Sequence, residues 1–151
     1  MIVDTSNLNV HELRDRLHEL FGDRDATTGL QVNVVSFGYK HGLPLDVDMV
    51  FDCRFLPNPH WVDALRPLTG LDEDVREYVL AQPEARDFLS RLDHLLDLVL
   101  PGFVREGKTY LRIAVGCTGG RHRSIVIADE LARLLREHGL DPTVMHRDID
   151  R

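Results

Sequence analysis

The sequence predicts an α/β layer fold: a mostly parallel sheet flanked by helices in three layers, with a phosphate-binding loop between one strand and the helix after it. Three observations predict it. Residues 110–116 (YLRIAVG) form a strand-like run that passes directly into a glycine-rich turn. After that turn, Ile125, Ile127, Leu131, Leu134 and Leu135 recur at helical spacing. Two earlier strand-like runs, 31–37 and 48–52, likewise end in polar loops, so strands and helices alternate along the chain.

In chain order, Asn9 and Glu12 make a plausible capping pair for a first helix, whose apolar face is Val10, Leu13, Leu17 and Leu20. Residues 22–29 are turn-like, and 31–37 (QVNVVSF) alternate as a half-buried strand does. A glycine-bracketed loop, 38–42, follows with Lys40 and His41. The second strand, 48–52, runs into 53–61, where Pro57 and Pro59 exclude regular structure. Residues 61–74 read as a long polar linker. A helix over 84–100 buries Phe88, Leu92, Leu95, Leu96 and Val99, and Pro101-Gly102 ends or kinks it. The helix after the glycine-rich turn covers about 124–138, Gly139 terminates it, and 142–146 return as the last strand. The expected organisation is a linker and leading helix over 1–22, then one ligand-binding domain over 30–151.

The 151 residues suffice for one buried core, and 43% apolar with 28% charged residues is the mix of a globular chain. No apolar stretch is long enough to span a bilayer, and the start lacks a signal-peptide pattern. With only Cys53 and Cys117, a disulfide-stapled secreted scaffold is not expected, and the cytoplasm is the default location. The net charge of −7, from 25 acidic and 18 basic residues, disfavours broad attraction to nucleic acid and leaves room for a local basic site.

In a parallel sheet, loops that follow strands meet at one edge, where ligands bind. Three segments qualify: 38–42, 54–60 and 117–124. In the third, CTGGRHRS, Gly119 and Gly120 let the backbone turn tightly and present amides beside a helix N-terminus. Arg123 offers a planar fork to phosphate oxygens, and the Thr118 and Ser124 hydroxyls add donors. The bland alternative is a strand-to-helix bend; three cationic or ionisable side chains in one turn weigh against it. The same residues fit Cys-x5-Arg-Ser, the loop of cysteine-dependent phosphatases, in which Cys117 would be the nucleophile. Against turnover, Gly116 stands where such enzymes commonly carry histidine, and no aspartate declares itself as the leaving-group acid. Binding without catalysis is therefore the favoured expectation. Lys40, His41 and His60 are candidate ligand contacts or ordinary loop residues, while Asp52 and Arg54 could simply pair with each other. No two of the eight histidines show metal-ligand spacing, so neither a metal nor another cofactor is expected.

The runs 36–42 (SFGYKHG), 51–61 (FDCRFLPNPHW), 65–71 (LRPLTGL) and 116–124 resemble the C-terminal domain of the RapZ/YvcJ family of bacterial nucleotide-binding proteins, which includes an RNase adaptor. Residues 4–13 resemble the junction between that family's two domains. Its N-terminal domain carries a Walker-type loop with nucleotide-hydrolysing activity. That motif is missing here, so the chain is expected to be the C-terminal domain or a shortened relative. For this domain the resemblance implies a sensor of an amino-sugar phosphate, glucosamine-6-phosphate, with an RNA-binding surface and self-association. The implied pocket is His41, His60, Cys117, Thr118, Gly119, Gly120, Arg123 and Ser124, supported by Lys40, Asp52, Arg54 and Asn58. Enteric members use a basic tail for RNA. Here 146–151 (HRDIDR) carries two aspartates, so RNA contact falls to a patch such as Arg121, Arg147 and Arg151, or to several subunits together. Three readings follow: a sugar-phosphate sensor that signals to an RNA or protein partner, a cysteine phosphatase, and an RNA-binding module with an incidental anion site.

Overall fold

The computed structural model describes residues 29–151; the leading helix expected over 9–20 lies outside them. Four strands form one sheet: β1 (Gln31–Gly38), β2 (Met49–Asp52), β3 (Tyr110–Cys117) and β4 (Thr143–His146). Their order is β2-β3-β1-β4, and every pairing is parallel. The helices are α1 (Glu73–Leu80), α2 (Pro83–Arg105) and α3 (Arg123–Glu137). The expected parallel sheet with flanking helices is what the chain forms.

Strand alternation sorts the side chains into two cores. Val32 and Val34 of β1 join Leu111, Ile113 and Val115 of β3 in the large core, beneath Val75, Val79, Leu92, Leu96, Leu131 and Leu135 of the three helices. The intervening Val35, Phe37 and Ala114 form a small core on the opposite face, covered by Tyr39 and Val47 of the β1–β2 connection. Phe37 and Tyr39 meet edge to face at 4.8 Å.

Two stretches depart from the sequence reading. The expected linker over 61–74 ends in α1, whose eight residues bury only Val75 and Val79 and so give a weak periodic signal. Pro101 does not end the long helix, which continues to Arg105. The neighbouring turns and the packing of Leu96 and Leu100 in the core outweigh the hydrogen bond that proline cannot donate. Gly139 behaves as expected. At φ +83° it follows α3, donating to the Arg136 carbonyl, while Leu140 donates to that of Leu135.

The end of the chain is pinned to the end of β1. Asp148 is fully buried, accepts the Gly38 amide at 2.8 Å, and is held by Arg147 at 2.8 Å. Burial opposes ionisation of this carboxyl, but Arg147 and the Gly38 amide outweigh it and hold Asp148 below the usual carboxylate range. Such a depressed group contributes stability that is present above its unfolded pKa and lost as pH falls through its folded one. Asp148→Asn should therefore cost on the order of 3 kcal/mol near neutral pH. The gap from wild type should narrow below about pH 4, as followed by urea denaturation across pH.

Candidate functional site

Because the strands are parallel, the loops after β1, β2 and β3 meet at one edge. The contact begins with glycines. A Cβ on Gly38 would lie 2.5 Å from the carbonyl carbon of Gly119, and one on Gly120 would lie 2.6 Å from the Gly38 amide nitrogen. Gly120 also has φ +79°, a conformation side chains resist. The turn after β3 is thus pressed backbone to backbone against the end of β1, and Lys40 donates its amide to the Thr118 carbonyl at 3.2 Å. Gly116 has its own reason: a Cβ there would fall 2.5 Å from the Phe37 ring and 2.6 Å from that of Tyr39, leaving no room for histidine.

At the start of the turn, Cys117 is 3% exposed; its sulfur accepts from the Gly120 amide at 3.3 Å and lies 3.1 Å from the Ser124 hydroxyl. Cys53 follows β2 on the neighbouring strand, with its amide donating to the Gly116 carbonyl at 2.7 Å. Burial pushes the Cys53 thiol pKa well up, and Cys117 and Asp52 push in the same direction. Cys53 is an inert packing residue at neutral pH.

Arg123 is 4% exposed and bridges the segments. Its Nη1 donates to the Arg54 and Leu56 carbonyls at 2.9 and 2.8 Å, which ties the loop after β2 to the start of α3. Nη2 reaches Thr118 Oγ1 only at 3.4 Å, and buried Nε has no partner. One edge of the guanidinium is spent on scaffolding; the Nε–Nη2 edge keeps its donors. The residue before α3, His122, makes no side-chain cap, and the first turn of α3 contains no acid. Among the described residues nothing accepts from the amides of Gly119, Arg121 and His122.

These groups border a cavity of about 460 Å³ lined by Lys40, Asn58, His60, Trp61, Arg66, Cys117, Thr118, Gly119, Arg121, His122, Arg123 and Arg151. No Asp or Glu side chain is in that lining. Arg66 pairs with Asp63 and Arg151 approaches Asp148, whereas Lys40 and Arg121 have no acidic partner among the described residues. Burial lowers the His122 pKa against the pull of the Leu68 and Arg66 carbonyls, which favours the neutral ring at pH 7.

Of the residues singled out from sequence, Lys40, Asn58, His60, Cys117, Thr118, Gly119 and Arg123 line this cavity. Gly120 and Ser124 stand behind it, on the Cys117 sulfur. His41, Asp52 and Arg54 lie outside the lining. Asp52 and Arg54 pair bidentately at 2.7–3.0 Å, and the Arg54 guanidinium stacks 3.9 Å from the centre of Tyr39, toward the small core. His41 sits near Asp148, with its Nε2 buried and unpartnered. The sequence reading assigned no ligand contact to Trp61, Arg66, Arg121, His122 or Arg151. Of the suggested basic patch, Arg147 is committed to Asp148 and the Gly42 carbonyl. A second arrangement, Ser36 Oγ 2.8 Å from His146 Nδ1 and His146 Nε2 3.2 Å from Asp129, has the form of a hydrolase triad. Ser36 is fully buried within β1, so this relay braces the sheet and meets no substrate.

The RapZ C-terminal domain family matches this chain over residues 30–150. The chain belongs to that family. It is 60% identical to a nucleotide-binding protein of Acidothermus cellulolyticus, covering all of this chain and 50% of that protein. It is 58% identical to one of Frankia casuarinae, covering 52% of that protein, and 53% identical to one of Streptomyces coelicolor, covering 50%. All three relatives are named nucleotide-binding proteins, and the chain spans about half of their length. Among the described residues no helix is long and apolar enough to cross a membrane.

Two adjacent glycines separate fold from site in this RapZ-type turn. A Cβ on Gly119 would meet only Lys40 Cε and Nζ, at 3.8 and 3.9 Å. Gly119→Ala should therefore unfold within about 1 kcal/mol of wild type. Gly120→Ala should lose on the order of 2 kcal/mol or more, measured by urea denaturation.

Proposed function

We propose that this chain is a regulatory binding domain whose cavity recognises a phosphorylated small metabolite. By family resemblance the metabolite is an amino-sugar phosphate such as glucosamine-6-phosphate, and the bound state is passed, in a self-associated protein, to an RNA or protein partner. The observation that carries this reading is the Arg123 guanidinium. It is almost wholly buried, anchored through Nη1, and its Nε–Nη2 edge, which reaches only Thr118 Oγ1 at 3.4 Å, belongs to a cavity lined by no acidic side chain. That edge matches two oxygens of a phosphate. The uncapped α3 N-terminus, the Gly119 amide, Lys40 and Arg121 add positive potential around the same volume.

A second reading, hydrolysis of a phosphate ester through Cys117, has one observation in its favour. The Gly120 amide donates to the Cys117 sulfur and the Ser124 hydroxyl lies 3.1 Å from it, so the sulfur is fixed in the same turn that borders the cavity. The lining holds no Asp or Glu side chain to protonate a leaving group, and this favours holding the phosphate over cutting it.

Isothermal calorimetry with glucosamine-6-phosphate, glucosamine and inorganic phosphate tests the first reading. Heat is expected from both phosphorylated compounds and none from glucosamine. Lys40→Ala and Arg121→Ala, which remove cations without acidic partners among the described residues, should each weaken binding about tenfold. Silence from all three compounds would overturn the reading. The second reading expects release of nitrophenol from p-nitrophenyl phosphate, abolished in Cys117→Ser; no release at high protein concentration removes it.

A further inference from the structure

The cavity is much larger than the anion its cationic groups would hold. At about 460 Å³ it falls in the range of sites that enclose whole small molecules. Away from Arg123, its wall changes character and is formed by Asn58, His60 and Trp61. Trp61 is the sole tryptophan of the chain and is 77% exposed. Leaving an indole in water forgoes substantial apolar burial, which single exposed aromatics in a cavity wall recover when a ligand covers them.

The indole is not loose. Buried Pro59 opens a 3-10 turn over Pro59–Trp61, and the Asn58 side chain caps it by accepting the His60 amide at 3.1 Å. Trp61 donates its amide to the Asn58 carbonyl at 3.1 Å, and its ring meets that of His60 edge to face at 5.4 Å. Arg66 closes the turn from below, donating to the His60 carbonyl at 2.8 Å. A pre-positioned aromatic plate thus shares one cavity with the phosphate-binding end. Asn58 spends its side-chain oxygen on the cap and keeps its amide donors, while the His60 ring supplies a further polar edge beside the plate.

We infer that Trp61 is a specificity-determining residue of this site. Its indole takes the apolar face of a ring in the ligand while the Gly119–Arg123 end holds the ligand's phosphate. The shared chemistry is a phosphorylated ring compound, whether a pyranose with a face of C–H bonds or a nucleoside with a planar base. A linear phosphate ester leaves the plate uncovered. This inference rests on the phosphate reading of the same cavity and adds which residue discriminates among phosphates.

Because Trp61 is the sole tryptophan, its fluorescence reports on the plate directly. Wild-type protein is titrated with glucosamine-6-phosphate, adenosine monophosphate, glycerol 3-phosphate and inorganic phosphate, with calorimetry in parallel. At least one ring compound should shift the indole emission and bind about tenfold more tightly than glycerol 3-phosphate. Trp61→Ala should erase that preference, while Trp61→Phe should retain most of it. The hexosamine and nucleotide titrations show which ring the plate accepts. Binding of inorganic phosphate with no preference for rings, or a preference that survives Trp61→Ala, overturns the inference and leaves the phosphate reading standing. Absence of binding by every phosphate overturns both.

Discussion

An arginine only 4% exposed is a severe constraint on everything around it. Removing a charge from water costs several kcal/mol, and the cost is borne only when hydrogen-bond acceptors are fixed in place. Arg123 finds two of them in the Arg54 and Leu56 carbonyls, both from the loop after β2. The loop must therefore fold across the start of α3 in one conformation, which in turn sets Asn58, His60 and Trp61 around the cavity. The acceptors are carbonyls and not a carboxylate, so the arginine's positive charge is oriented without being neutralised. What remains is a desolvated cation with free donors, the condition under which an incoming anion gains most.

The strands and the glycine-rich turn were legible because local composition determines them. β1 and β3 are short apolar runs rich in β-branched residues and buried on both faces toward their ends, and CTGGRHRS has few uses other than a tight cationic bend. α1 was not legible, because its two buried valines fall within a stretch of acids. Pro101 was misleading for a different reason. Its local penalty is real, but packing of the long helix outweighs it. Gly116 counted against catalysis in the sequence, and the structure gives that glycine a steric cause in the rings of Phe37 and Tyr39.

The cavity wall was legible only where it is sequential. Nine lining residues belong to the segments that the strand-end rule nominates. Arg66 comes from the turns before α1, and Arg151 from the chain's last residue, so no spacing pattern links them to Cys117. Asp52 and Arg54 show the converse. They are near the site in sequence but point to the opposite side of β2 from Cys53, and there they neutralise each other under Tyr39.

The turn that ends the described chain is tied to the pocket at both of its sides. Asp148 holds the Gly38 amide, Arg147 holds the Gly42 carbonyl, and Arg151 borders the cavity while reaching back to Asp148 at 3.6 Å. Mechanically this is a lever with a short arm. Its arm runs from Arg151 through Asp148 to the backbone joint between Gly38 and Gly120.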